Sequence, residues 1–85
     1  MRPLLIDVRE PQEYNLSHAE GAINIPISHL PDNSYLMALP RHLRIIVYCS
    51  SGARSAHAAH MLQHLGFTDA VNATDASMAE ELARS

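Results

Sequence analysis

The sequence predicts an α/β fold: a small, mainly parallel sheet flanked by helices. Three observations carry that prediction. Leu4-Leu5-Ile6-Asp7-Val8 and Arg44-Ile45-Ile46-Val47-Tyr48 are short, β-branched, apolar runs that read as buried strands. Between and after them lie stretches with helix start and stop signals, the clearest closed by Gly66. Strands alternating with helices imply parallel pairing through crossovers. Ligands of such sheets bind beyond the carboxyl ends of the strands, and the lone cysteine, Cys49, directly follows one of those ends.

The elements follow in order. Leu4–Val8 is the first strand, with Asp7 and Arg9 at its carboxyl end, where a fold-holding hydrogen-bond role suits them better than catalysis. Glu10-Pro11-Gln12-Glu13-Tyr14 starts a short helix with Pro11 at its first position, ending near Ser17. His18, in the next loop, reads as solvated or hydrogen-bonded rather than as a general base. Gly21 breaks the chain before a second strand, Ala22–Ile25, which Pro26 ends. Pro31 and Asp32-Asn33 interrupt the apolar pattern of Ser28 to Leu39, which predicts a turn and then a helix from Ser34 to Leu39, closed by Pro40. Arg44–Tyr48 is the central strand. The helix His57–Gly66 places Ala58, Met61, Leu62 and Leu65 on its core side. His57, His60 and His64 form a stripe on another side; no carboxylate or second cysteine joins them in sequence, so they read as a polar face and no metal is expected. Phe67–Asn72 gives a turn and a final short strand. Ser77-Met78-Ala79-Glu80 has the spacing of a capping box and opens the last helix.

Composition bounds the function. Eighty-five residues make one domain, 1–85, with a thin margin of buried surface. The net charge of −3 leaves no basic footprint for nucleic acid, and all six cationic side chains are arginines. No apolar run approaches transmembrane length. Met1-Arg2-Pro3 leads straight into a strand, so the expected compartment is the cytoplasm, or the periplasm if a signal peptide has been removed. One cysteine cannot form an internal disulfide.

The chemistry concentrates in Cys49-Ser50-Ser51-Gly52-Ala53-Arg54-Ser55. A tight turn from strand to helix points successive backbone N–H groups into one concave nest, and the helix dipole adds to its field. That field lowers a cysteine pKa, and Arg54 adds a permanent positive charge at the rim. A buried, inert cysteine is the usual alternative. The glycine, the small residues and the arginine around Cys49 weigh against it.

This loop resembles that of the rhodanese family of sulfurtransferases, whose six-residue loop begins with the catalytic cysteine; Cys49 to Arg54 has that length. Leu5-Ile6-Asp7-Val8-Arg9-Glu10 is similar to the family's first signature, and His18-Ala19-Glu20-Gly21-Ala22-Ile23-Asn24-Ile25-Pro26 to its second. The resemblance runs from Leu4 to Asn72, and it implies a rhodanese-like three-layer sandwich in minimal form. By the same resemblance, Cys49 and Arg54 are catalytic. Ser50, Ser51, Gly52, Ala53 and Ser55 form the substrate and persulfide loop, and Asp7 and Arg9 brace the sheet. A sulfane sulfur would pass from a donor such as thiosulfate to cyanide or a thiol through a Cys49 persulfide, without a cofactor. The expected partners are therefore a small sulfur-donor anion and a thiol or protein-thiol acceptor, with no nucleic acid and no membrane, and the chain is expected to be a monomer. Ser50 and Ser51 are neutral, so thiosulfate should be a weak donor, and the natural one less charged or a persulfide on a partner.

Two alternatives stay open. A phosphatase or arsenate reductase using the same thiolate is one; the related cell-cycle phosphatases hold five residues between cysteine and arginine and this chain holds four, and the shorter loop argues against it. A non-catalytic binding module is the other, because Ala73-Thr74-Asp75-Ala76 stands where the family commonly carries a Gly-Gly pair. That segment should make one wall of the pocket bulkier and more acidic.

Overall fold

A computed structural model describes residues 2–85. Four strands form one parallel sheet: β1 (Leu4–Asp7), β2 (Ile23–Asn24), β3 (Ile45–Tyr48) and β4 (Ala70–Thr74), in the spatial order β2-β1-β3-β4. The helices are α1 (Pro11–Leu16), α2 (Ser34–Met37), α3 (Ala53–His64) and α4 (Ala76–Arg84), with a 3-10 turn at Ile27–His29. The strand–helix alternation thus gives the α/β architecture that the sequence predicts.

Side-chain alternation explains the layers. Along β1 and β3, Ile6, Ile45 and Val47 point to one face, where Ala58, Ala59 and Leu62 of α3 and Leu36 of α2 cover them. Leu5, Ile46 and Tyr48 point to the other, against Ala79 and Leu82 of α4 and Tyr14 of α1. All four residues of β3 are buried, so it is the centre of the core. Burial of its Ile and Val side chains stabilises the fold by about 1.5–3 kcal/mol each.

Several boundaries differ from the sequence expectation. α3 begins at Ala53, not His57, so Ala53, Arg54 and Ser55 belong to its first turn rather than to a free loop. Gly52 caps it with a left-handed φ of 100°, which glycine adopts without strain. Ala59 also faces the core, at 7% exposure. α4 begins at Ala76, capped by Asp75, whose side chain accepts from the Met78 N–H at 2.9 Å. Ser77 therefore lies inside the helix and is not its cap. β2 keeps only Ile23–Asn24 of the expected Ala22–Ile25, and β4 runs on to Thr74. α2 ends at Met37 rather than Leu39. No helix among the described residues is long and apolar enough to cross a membrane.

β4 carries one extra residue. Val47 pairs with Asn72 but Tyr48 pairs with Thr74, so a bulge lies at the carboxyl end of the β3–β4 ladder. Thr74 takes a φ of 78°, a conformation that a β-branched residue adopts only under strain. This bulge stands beside the cysteine loop.

Candidate active site

β3 delivers Cys49 to the carboxyl edge of the sheet. The Cys49 N–H donates to the Thr74 carbonyl at 3.2 Å, which ties the start of the loop to the bulge. The chain then turns at Ser50–Gly52 and enters α3. That turn folds the backbone around the cysteine sulfur. The Gly52 N–H donates to Sγ at 3.1 Å and the Ser55 N–H at 3.4 Å, while the Ser55 hydroxyl lies 3.4 Å from it. Cys49 is only 2% exposed.

Burial pushes the Cys49 thiol up. Hydrogen bonds from the Ser55 hydroxyl and from the N–H groups of Ser55, Gly52 and Ser51 outweigh it and bring the pKa down to about 7. The sequence reading added the Arg54 charge to that of the backbone nest, and the geometry turns the guanidinium toward α1. Arg54 grips Glu13 of α1 with two parallel bonds, Nη1 to Oε1 at 2.8 Å and Nη2 to Oε2 at 3.0 Å. It also donates to the Ser50 hydroxyl at 3.3 Å. Its guanidinium therefore clamps the loop to α1, and its charge is matched by a carboxylate. The hydrogen bond to Arg54 holds the Glu13 carboxyl down at about 2, and the Arg54 pKa is raised by the same bond.

Ser55 is fully buried, and its hydroxyl donates to Asn72 Oδ1 at 2.6 Å. The Thr74 N–H donates to the same oxygen at 3.0 Å, which fixes the orientation of the Asn72 amide. A hydroxyl carries one proton. With Cys49 protonated, its S–H faces the Ser55 oxygen and the Ser55 proton lies on Asn72. With Cys49 ionised, the Ser55 proton can turn to the sulfur, and Asn72 keeps its bond to Thr74.

The remaining residues fall at set distances from this centre. Ser50, Ser51 and Ala53 are exposed around the mouth of the loop. Asp7, fully buried, accepts from Arg9 Nη2 at 2.7 Å and from the Tyr48 hydroxyl at 2.9 Å; that hydroxyl in turn accepts from the Ala19 N–H. Asp7 and Arg9 thereby join β1, β3 and the approach loop beneath the site. His18 stacks on Tyr14 with ring centroids 3.7 Å apart, and its Nδ1 bonds the Tyr14 carbonyl. His57, His60 and His64 are exposed on α3. In the segment Ala73–Ala76, the exposed Asp75 carboxylate caps α4 through Oδ1. Thr74 Cγ2 lies 3.0 Å from where a Gly52 Cβ would stand, so a side chain there would crowd Thr74 as well as strain the backbone at φ 100°. Two residues of the site were not singled out by sequence reasoning. Glu13 carried a signal, three residues after the helix cap Glu10, whose N–H its Oε1 accepts at 3.0 Å. Asn72 carried only its polarity within a strand.

The family assignment rests on sequence as well as geometry. The Rhodanese-like domain family matches residues 1–80. The chain belongs to the rhodanese-like domain family. Among relatives, the chain is 41% identical to the probable adenylyltransferase/sulfurtransferase MoeZ of Mycobacterium tuberculosis and 35% identical to the thiosulfate sulfurtransferase PspE of Escherichia coli. Each match covers 80% of this chain. The chain spans 17% of the first relative and 65% of the second, less than two thirds of either. A solved structure described as rhodanese with anions, from E. coli, superposes with a TM-score of 0.81 at 32% identity, covering 89% of each chain.

Proposed function

We propose that this rhodanese-like domain is a sulfurtransferase acting through a Cys49 persulfide. The single observation that carries the reading is the cradle around Cys49 Sγ: two N–H groups and a hydroxyl converge on one buried sulfur and hold its pKa to about 7. A thiolate is therefore present at neutral pH, and donors stand ready for negative charge on sulfur. In the first step the thiolate attacks the outer sulfur of a donor such as thiosulfate. The new S–S bond forms as the old one breaks, and sulfite leaves with the electron pair. In the second step a nucleophile, cyanide or a small or protein thiol, takes the outer sulfur and releases the thiolate. Two half-reactions with a covalent intermediate give ping-pong kinetics. The names of the relatives, both of which include sulfurtransferase, support the same class.

Intact mass spectrometry tests it. Fresh, reduced protein mixed with a sulfane donor should gain one sulfur, about 32 Da, that cyanide or dithiothreitol removes. Cys49→Ser should gain nothing. An unchanged mass in the native chain with thiosulfate and with an organic thiosulfonate would favour the non-catalytic binding module instead.

A further inference from the structure

The loop mouth carries less positive charge than Arg54 suggests. Both Glu13 oxygens are taken by its guanidinium, and the Ser50 hydroxyl donates to Glu13 Oε2 at 3.4 Å. Arg9, whose charge reaches both Glu13 and Arg54, is itself bound to Asp7 at 2.7 Å. Each guanidinium at this edge thus has its own carboxylate. The chain as a whole carries −3. Beside the loop, Ile27, Pro31, Ala53 and Met61, with Arg54 and His57, line an open cavity of about 490 Å³. Its walls are mostly hydrocarbon.

We infer that Glu13 sets donor choice: by occupying Arg54 it turns the site away from dianions and toward singly charged sulfane donors with an apolar body, of the organic thiosulfonate type. The inference rests on the sulfurtransferase reading and deepens it. Thiosulfate brings two negative charges to a thiolate, and among the described residues both guanidinium groups at this edge are already paired with carboxylates. A thiosulfonate, R–SO2–S⁻, brings one, and its R group can lie against Ile27, Pro31 and Met61. The reaction balances. The Cys49 thiolate attacks the outer sulfur and a new S–S bond forms. The bond from that sulfur to the sulfonyl sulfur breaks, and its electron pair leaves on the sulfinate, R–SO2⁻. Cys49 keeps the outer sulfur as a persulfide anion, and no proton, oxidant or reductant is consumed. Glu13 touches neither donor nor thiolate in this scheme; it is a specificity-determining, positioning residue.

Donor kinetics on the full chain test it, with thiosulfate and benzenethiosulfonate as the two probes. The native protein should have the higher kcat/KM with benzenethiosulfonate, and its rate with thiosulfate should rise as salt screens the repulsion. Glu13→Gln keeps an oxygen for the Glu10 N–H but releases the Arg54 charge. It should raise kcat/KM for thiosulfate by about five-fold or more at low salt, change benzenethiosulfonate by no more than about two-fold, and reverse the salt dependence. Glu13→Asp retains the charge and should keep the native preference. A merely structural role would move both donors together. Equal changes for the two donors, an unchanged thiosulfate rate in Glu13→Gln, or a native thiosulfate rate that falls with salt would each overturn the inference while leaving the sulfurtransferase reading intact. The native-protein salt series alone decides the matter should Glu13→Gln not fold. If neither donor loads sulfur on native Cys49, the sulfurtransferase reading falls and takes the inference with it.

Discussion

Cys49 owes its ionisation to its neighbours in the turn and only secondarily to the arginine at the rim. Ser55 supplies two of the bonds to its sulfur, from N–H and from hydroxyl, whereas Arg54 is turned to Glu13. Ser55→Ala removes the hydroxyl bond and leaves the N–H. The Cys49 pKa should then climb from about 7 back toward its ordinary value of 9.0. A rise of about one unit takes the thiolate fraction at pH 7 from about a half to about a tenth, so alkylation at that pH should slow about five-fold. Alkylation rate against pH reads this directly. Arg54→Ala should move the same curve less. A larger shift from Arg54→Ala than from Ser55→Ala would return the dominant role to the guanidinium charge.

The elements divide into those that local pattern reveals and those that distant contacts decide. β1 and β3 were legible because they are unbroken apolar runs, and α1 because Pro11 fits only its first turn. The site was legible as far as Cys49-Ser50-Ser51-Gly52-Ala53-Arg54-Ser55, one contiguous stretch. Glu13 lies 41 residues from Arg54 and Asn72 lies 17 from Ser55, and no local spacing announces such pairs. The start of α4 shows how tertiary structure overrides a motif. Ser77 and Glu80 have capping-box spacing, but the bulge that ends at Thr74 sets Asp75 in extended conformation, ready to cap Ala76. Glu80 is engaged elsewhere, accepting from the Glu20 N–H at 2.8 Å. Asp75→Ala should therefore destabilise the protein by about 0.5–2 kcal/mol, and Ser77→Ala by about 0.5 kcal/mol or less, in urea unfolding. The reverse order would restore the cap at Ser77.

Across the whole molecule, the Arg54–Glu13 pair fastens α1, on one face of the sheet, to the start of α3, on the other. Its contribution follows acid in a definite direction. Hydrogen bonding to Arg54 lowers the Glu13 carboxyl from 4.5 to about 2. A carboxyl held low in the folded chain stabilises it above its unfolded pKa, and that stabilisation is lost as pH falls through the folded value. Native protein should thus melt higher than Glu13→Gln at neutral pH, and the difference in Tm should close between about pH 4.5 and about pH 2. Thermal melts by circular dichroism across that range measure it; a gap that persists at pH 2 would assign the effect to packing rather than charge. The solitary cysteine has a different kind of consequence. A peroxide that reaches Cys49 converts it to a sulfenic acid, and the chain owns no second thiol to condense with it. Recovery then depends on a reducing thiol arriving from solution before a further oxygen atom makes the damage permanent.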